Sequence, residues 1–174
     1  MSIYLSSYWL PELDGAKVCQ REISEKERVL FEIEESLTRT LKKKANVEIS
    51  VRLLAQEERS NLNSYEIARL GHTDKYFFRE IYLESAVEPL VLARSITLGR
   101  SQTSDMLGRL GTSPLGTLLF NSADWDSIPS KLKLETVRGV FGRSTHWRNC
   151  RTNESLVVQE FFLPALLEPD FLSS

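Results

Sequence analysis

Only two cysteines and two histidines occur in the 174 residues. Cys19 and Cys150 stand far apart in sequence, which suits reduced, structural thiols better than a disulfide framework. His72 and His146 are the two histidines, and with no Cys/His cluster in the sequence no metal site is expected. Long apolar runs are missing too. None approaches the ~20 residues of a membrane-spanning helix, and the N-terminus has no charged stretch leading into an apolar core, so neither a membrane anchor nor a secretory signal is expected and the reading is cytoplasmic. There is no excess of positive charge: 22 basic residues face 24 acidic ones, a formal net charge of −2, which points away from nucleic acid and from anionic membrane surfaces. No Ser/His/Asp or Cys/His arrangement suggests nucleophilic catalysis. What remains is a chain with 41% hydrophobic residues, enough for one domain spanning 1–174 with a substantial core.

The residues present organise around Lys75–Glu84. Aromatic and β-branched side chains dominate it, the composition of a strand. Alternation puts Phe77, Arg79, Ile81 and Leu83 on one face and Tyr76, Phe78, Glu80 and Tyr82 on the other. Arg79 thus interrupts an apolar row, where an unpaired charge costs several kcal/mol, on the order of 3–5. The next strand, Leu90–Leu98, repeats the pattern with Arg94 among Leu90, Leu92, Ile96 and Leu98. Near the C-terminus Glu160 shares a row with Leu156, Val158 and Phe162. Two readings follow. Either Arg79, Arg94 and Glu160 form a buried ion network that only braces a sheet, or they line a water-poor pocket for a dianion, with one positive charge left over for the ligand.

Around these strands, Ser24-Glu25-Lys26-Glu27 is a capping box opening a helix expected to run to about Lys44, with Leu30, Ile33, Leu37 and Leu41 as its apolar stripe. Val47–Ala55 alternates as a half-buried strand. Residues 57–70 turn weakly helical and stop at Gly71. Ser85–Pro89 joins the two arginine-bearing strands as a hairpin. Residues 101–120 read as two short helices, capped by Ser104 or Thr103 and by Ser113-Pro114, with Gly108, Gly111 and Gly116 as hinge positions of a lid. The second helix has no side chain suited to reading bases, so it is not a DNA-recognition helix. Residues 121–135 read as loop and weak helix, and Val137–His146 and Leu156–Leu163 as the closing strands. Residues 1–23, apolar around Tyr4–Leu10, read as a packing arm or a short helix. Helices and antiparallel strands in separate runs argue α+β: one antiparallel sheet of about six strands, helices over one face, the pocket between them.

Four blocks carry a resemblance. Ser36-Leu37-Thr38, Phe78-Arg79-Glu80-Ile81 with Glu88-Pro89 and Arg94, Leu110-Gly111-Thr112-Ser113-Pro114-Leu115-Gly116 with Leu119-Phe120, and Gly142-Arg143 with Glu160-Phe161-Phe162-Leu163-Pro164 together resemble the chorismate pyruvate-lyase family over roughly residues 30–165. The resemblance implies a lyase that converts chorismate to 4-hydroxybenzoate and pyruvate without a cofactor, with the small-molecule substrate as its partner and no nucleic acid or membrane. It implies that Arg79 pairs with the ring carboxylate, that Glu160 contacts the ring hydroxyl, and that Leu37 and Leu115 close over the ligand. Arg94 is assigned to the enolpyruvyl carboxylate from its strand face. The sequence departs from the family pattern at Leu37 (a Met there), Ala93 (a Gly), Ser113 (a Thr) and Ser144 (a second Arg). The same fold also serves as the effector-binding domain of transcription regulators, so a non-catalytic binder of aromatic carboxylates is the alternative. The short segment before the first helix speaks against a DNA-binding domain ahead of it.

Overall fold

The computed structural model describes residues 13–171; the apolar segment Tyr4–Leu10 lies outside them. Its frame is one antiparallel sheet of seven strands in the order β1-β5-β6-β7-β4-β3-β2. The strands are β1 (Lys17–Val18), β2 (Ser50–Arg59), β3 (Tyr76–Glu84), β4 (Pro89–Leu98), β5 (Trp125–Glu135), β6 (Phe141–Asn149) and β7 (Ser155–Phe162). The helices are α1 (Glu25–Glu32), α2 (Leu37–Ala45), α3 (Ser64–Leu70), α4 (Gln102–Arg109), α5 (Leu115–Asn121) and α6 (Pro164–Leu167). The expected α+β class with a single antiparallel sheet is therefore the fold observed.

Several expectations are corrected. The helix expected over 24–44 is two helices. Its capping box forms as anticipated, Glu27 N–H donating to Ser24 Oγ at 3.2 Å and Ser24 N–H to Glu27 Oε2 at 2.8 Å. The chain then leaves the helix at Ile33 (ψ 118°) and restarts with Ser36 as N-cap of α2. The stretch 121–135 is not loop but carries β5, a strand hidden by Pro129, which cannot donate to a ladder. Pro129 falls in the register shift between Ile128 and Leu132, where a β-bulge tolerates it. Ser101, rather than Ser104 or Thr103, caps α4, and Pro114 is itself the N-cap of α5.

Helices cover both faces of the sheet, not one. On the front face, Ile81, Leu83, Val91 and Phe162 pack with Leu30 of α1 and Leu37 and Leu41 of α2, while Val158, Leu156 and Trp147 pack with Leu107 of α4 and Leu115 and Leu119 of α5. On the back face, Leu70 of α3 packs on Tyr76, Phe78, Ile96 and Val157, and Leu13 and Ala16 pack on Tyr82, Leu92 and Phe161. The α1–α2 and α4–α5 pairs meet over the front face at Gly116. A Cβ there would lie 2.6 Å from Ser36 Oγ, so only glycine lets the two helix N-termini approach this closely.

Candidate functional site

Between the two helix pairs and the front face lies a cavity of about 120 Å³. That is near the volume of about 150 Å³ that holds a benzene ring in an engineered apolar cavity. Five adjacent strands supply its floor: Arg79 and Ile81 from β3, Ala93 and Ser95 from β4, Val158 and Glu160 from β7, Arg143 and Thr145 from β6, Ser127 and Lys131 from β5. Leu37 and Leu115, the first residues of α2 and α5, form part of its roof. Apolar walls with a few convergent polar groups are the usual make-up of a small-ligand site.

Register explains the floor. Arg79 lies opposite Ser95, Ser95 opposite Val158, and Val158 opposite Thr145, so these four form one row across the sheet. The next row on the same face runs Ile81, Ala93, Glu160, Arg143. Strand spacing of about 4.8 Å sets Arg79 and Glu160 roughly 10 Å apart across the sheet.

Arg79 is 1% exposed. Its Nη2 donates to the carbonyls of Gly111 at 2.9 Å and Ser113 at 3.1 Å, in the α4–α5 link. Gly111 takes a left-handed backbone, φ 55°, which presents that carbonyl without strain. The Arg79 Nε is buried without a hydrogen bond, and among the described residues no carboxylate pairs with this guanidinium. Burial alone accordingly lowers its pKa from the ordinary arginine value. A buried cation with unused donors at the wall of a cavity is a site for an anion.

At the other end, Glu160 Oε2 accepts from Arg143 Nε at 2.7 Å. Arg143 is buried, and its Nη1 donates to the carbonyls of Leu30, Phe31 and Ile33 at 3.2, 3.4 and 2.6 Å. These are carbonyls at the C-terminal end of α1, which the arginine caps where the helix breaks. Lys131 Nζ joins it, donating to the Phe31 and Ile33 carbonyls and to Glu34 Oε1 at 3.0 Å.

The structure thus brings Arg79, Glu160, Leu37 and Leu115 around one cavity. It separates Arg94 from them. Arg94 lies opposite Glu80 in the β3–β4 ladder and so faces the back. Its Nε donates to Glu80 Oε1 and its Nη2 to Asp14 Oδ1, at 2.8 and 2.7 Å. Arg59 adds two more bonds to Glu80, and both guanidiniums stack on Phe78. The ion network anticipated among Arg79, Arg94 and Glu160 does not form; Arg94 instead joins Glu80, Arg59 and the exposed Asp14 on the back. The assignment of Arg94 to a ligand carboxylate is corrected accordingly. Alternation showed that Arg94 sat among apolar residues. It did not show that β4 turns this row away from Arg79, because hairpin register decides that.

Two lining residues were missed. Arg143 stands between Phe141 and Thr145, a charge in a mostly apolar row, the same signal that marked Arg79. Lys131 gave no signal, since its strand was unrecognised. Two further polar features lie outside the cavity lining. His146 Nε2 is 3.0 Å from Ser155 Oγ, with burial and then Arg69 and Arg148 lowering its pKa. Glu154 accepts from the Gln102 and Thr103 amides and the Thr103 hydroxyl, capping α4. Among the described residues no cluster of His, Cys, Asp and Glu could hold a metal ion, and no helix is long and apolar enough to cross a membrane.

An antiparallel sheet with an arginine-lined cavity beneath two helix pairs defines an α+β domain with an internal site of ligand size. The same arrangement of elements occurs in PhnF from Mycobacterium smegmatis (TM-score 0.54, 9% identity, 77% of this chain and 66% of that one) and in the effector domain of that protein (TM-score 0.50, 10% identity, 75% and 90%). At such identities the likeness is one of fold alone. The sequence is more specific. Residues 22–169 match the family model described as chorismate lyase, and the chain belongs to that family. Two curated relatives, each named a probable chorismate pyruvate-lyase, are 29% identical: one from Shewanella loihica over 64% of this chain and 74% of its own, one from Marinobacter nauticus over 93% and 89%.

Proposed function

We propose that the chain is a chorismate lyase, releasing pyruvate from chorismate and leaving 4-hydroxybenzoate. The observation that carries this is Arg79, a buried guanidinium with unused donors at the wall of a cavity of single-ring size. Family membership supplies the reaction class.

Chorismate is a cyclohexadiene with a ring carboxylate, a ring hydroxyl and an enolpyruvyl ether. The ether C–O bond on the ring breaks, and its electrons remain with the departing oxygen as that fragment becomes pyruvate. The hydrogen on the adjacent ring carbon leaves as a proton, and its bond electrons complete the aromatic ring. The methylene carbon of the side chain gains a proton and becomes the pyruvate methyl. Atoms balance without added water, oxidant or reductant, and aromatisation drives the step. The chain's task is to hold the side chain against the ring and to keep water out. Arg79 clamps the ring carboxylate through its planar fork. Glu160 accepts from the ring hydroxyl and is itself aimed by Arg143. Leu37 and Leu115 press on the ring from above.

The test is direct. Purified protein is mixed with chorismate and a chelator, and 4-hydroxybenzoate and pyruvate are followed together. Equimolar appearance of both is expected. A folded protein that produces neither overturns the lyase reading, and if it still binds 4-hydroxybenzoate it is a non-catalytic binder instead.

A further inference from the structure

With Arg94 on the back of the sheet, a dianionic ligand needs a second anchor from elsewhere. We propose that Arg143, backed by Lys131, forms a second carboxylate subsite at the β5–β6 end of the cavity and makes the site selective for dianions over monoanions. The inference deepens the lyase reading and rests on it for the identity of the dianion.

Three observations carry it. The first is spare donor capacity. Arg143 uses Nε for Glu160 and Nη1 for the α1 carbonyls, and its Nη2 makes no hydrogen bond among the described residues. It is 4% exposed, and it lines the same cavity as Arg79.

The second is charge balance. The cations lining the cavity are Arg79, Arg143 and Lys131, and the carboxylates are Glu34, Glu35 and Glu160. Glu34 and Glu35 are exposed at the rim, and the Glu34 side chain is 87% exposed, so its bond to Lys131 is worth little. The interior therefore holds three cations against Glu160, an excess that matches two ligand carboxylates.

The third is placement. Arg79 and Arg143 stand on strands β3 and β6, three strand spacings apart in the sheet order. At about 4.8 Å each that is roughly 14 Å, a span filled by two arginine side chains reaching toward a ring with a carboxylate at each end.

The subsite also ties the ligand to the cover. Arg143 and Lys131 are the residues that grip the carbonyls where α1 breaks, so a carboxylate on them sits directly under the Ile33–Ser36 turn that helps wall the cavity.

The test compares two stable ligands by calorimetry: 3-(carboxymethoxy)benzoate, a dianion, and 3-methoxybenzoate, its monoanionic counterpart. The wild-type chain is expected to prefer the dianion by at least tenfold. In Lys131→Met and in Arg143→Gln that preference falls to within about threefold, because the dianion loses more affinity than the methoxy compound in each variant. Arg79→Met weakens both ligands alike. Where Arg143→Gln does not fold, Arg143→Lys replaces it. It keeps the charge but loses the free Nη2, so the preference should still drop. A preference for the dianion that survives in Lys131→Met and in the folded Arg143 variant overturns the subsite. Chorismate turnover is measured on the same wild-type preparation, so the two readings fail separately. Dianion preference lost in the variants without any turnover sinks the reaction and keeps the subsite, whereas turnover with an unchanged preference sinks the subsite and keeps the reaction.

Discussion

Two arginines on adjacent strands have opposite duties, and substitution separates them. Arg79 faces the cavity with unused donors, so Arg79→Lys keeps a charge but loses the planar fork. Affinity for 4-hydroxybenzoate should fall by about 1–3 kcal/mol, while stability falls only through the weakened bonds to the Gly111 and Ser113 carbonyls. Arg94 faces the back, bonded to Glu80, which is fully buried. Arg94→Met leaves Glu80 to Arg59 alone and should cost about 3 kcal/mol of stability, with product affinity of the folded fraction unchanged. Equal effects of the two changes on affinity would mean that both arginines serve the ligand.

At the scale of elements, the roof is built from helix ends and is held by contacts that can be altered singly. The α4–α5 link hangs on Arg79 through the Gly111 and Ser113 carbonyls, so the residue proposed to clamp the ligand also holds this part of the roof. Product release is expected to be slow, giving a rapid first turnover and a slower steady state. Gly111→Ala meets no atom within 4 Å but must adopt φ 55°, a strained conformation for alanine. It should change the steady-state rate more than the first turnover, as a quench-flow measurement would show. Progress that is linear from the first turnover would mark an open cleft. The α1 end of the roof is acid-sensitive. The Glu27 carboxylate receives two bonds from Arg21, and these, with its own capping contacts to Ser24, hold its pKa below the usual glutamate value. The folded state therefore binds fewer protons than the unfolded one as pH falls below roughly 4.3. The stability from this group is complete above that pH and is lost as acid protonates it. Glu27→Gln should flatten the acid limb of a pH–stability curve.

For the whole molecule, ligand and fold are linked because the cavity is walled by both helix pairs and floored by five strands. Anything bound there favours the folded state by mass action. At a hundred times its dissociation constant, 4-hydroxybenzoate should add about 2.7 kcal/mol, a rise in Tm of roughly 5–10 °C at about 2–4 °C per kcal/mol. The rise should vanish in Arg79→Met. A shift of the same size in that variant would place the ligand elsewhere.

The sequence by itself determined the antiparallel α+β character, the capping box, the two short helices over the site, and the face of β3 on which Arg79 lies. All of these follow from local periodicity and capping chemistry. Alternation also marked Glu160 in an apolar row, and the motifs that align with the family added Leu37 and Leu115. Only the tertiary structure decided the rest. Cross-strand register turned Arg94 away from the cavity and onto Glu80. A bulge at Pro129 converted an apparent loop into β5 and delivered Lys131. Packing of α3 on the second face made a buried back where solvent was expected. The break after Glu32 depends on Arg143 and Lys131, about a hundred residues downstream. Pairing between distant strands sets which buried charges meet, and alternation within one strand carries no information about its partner.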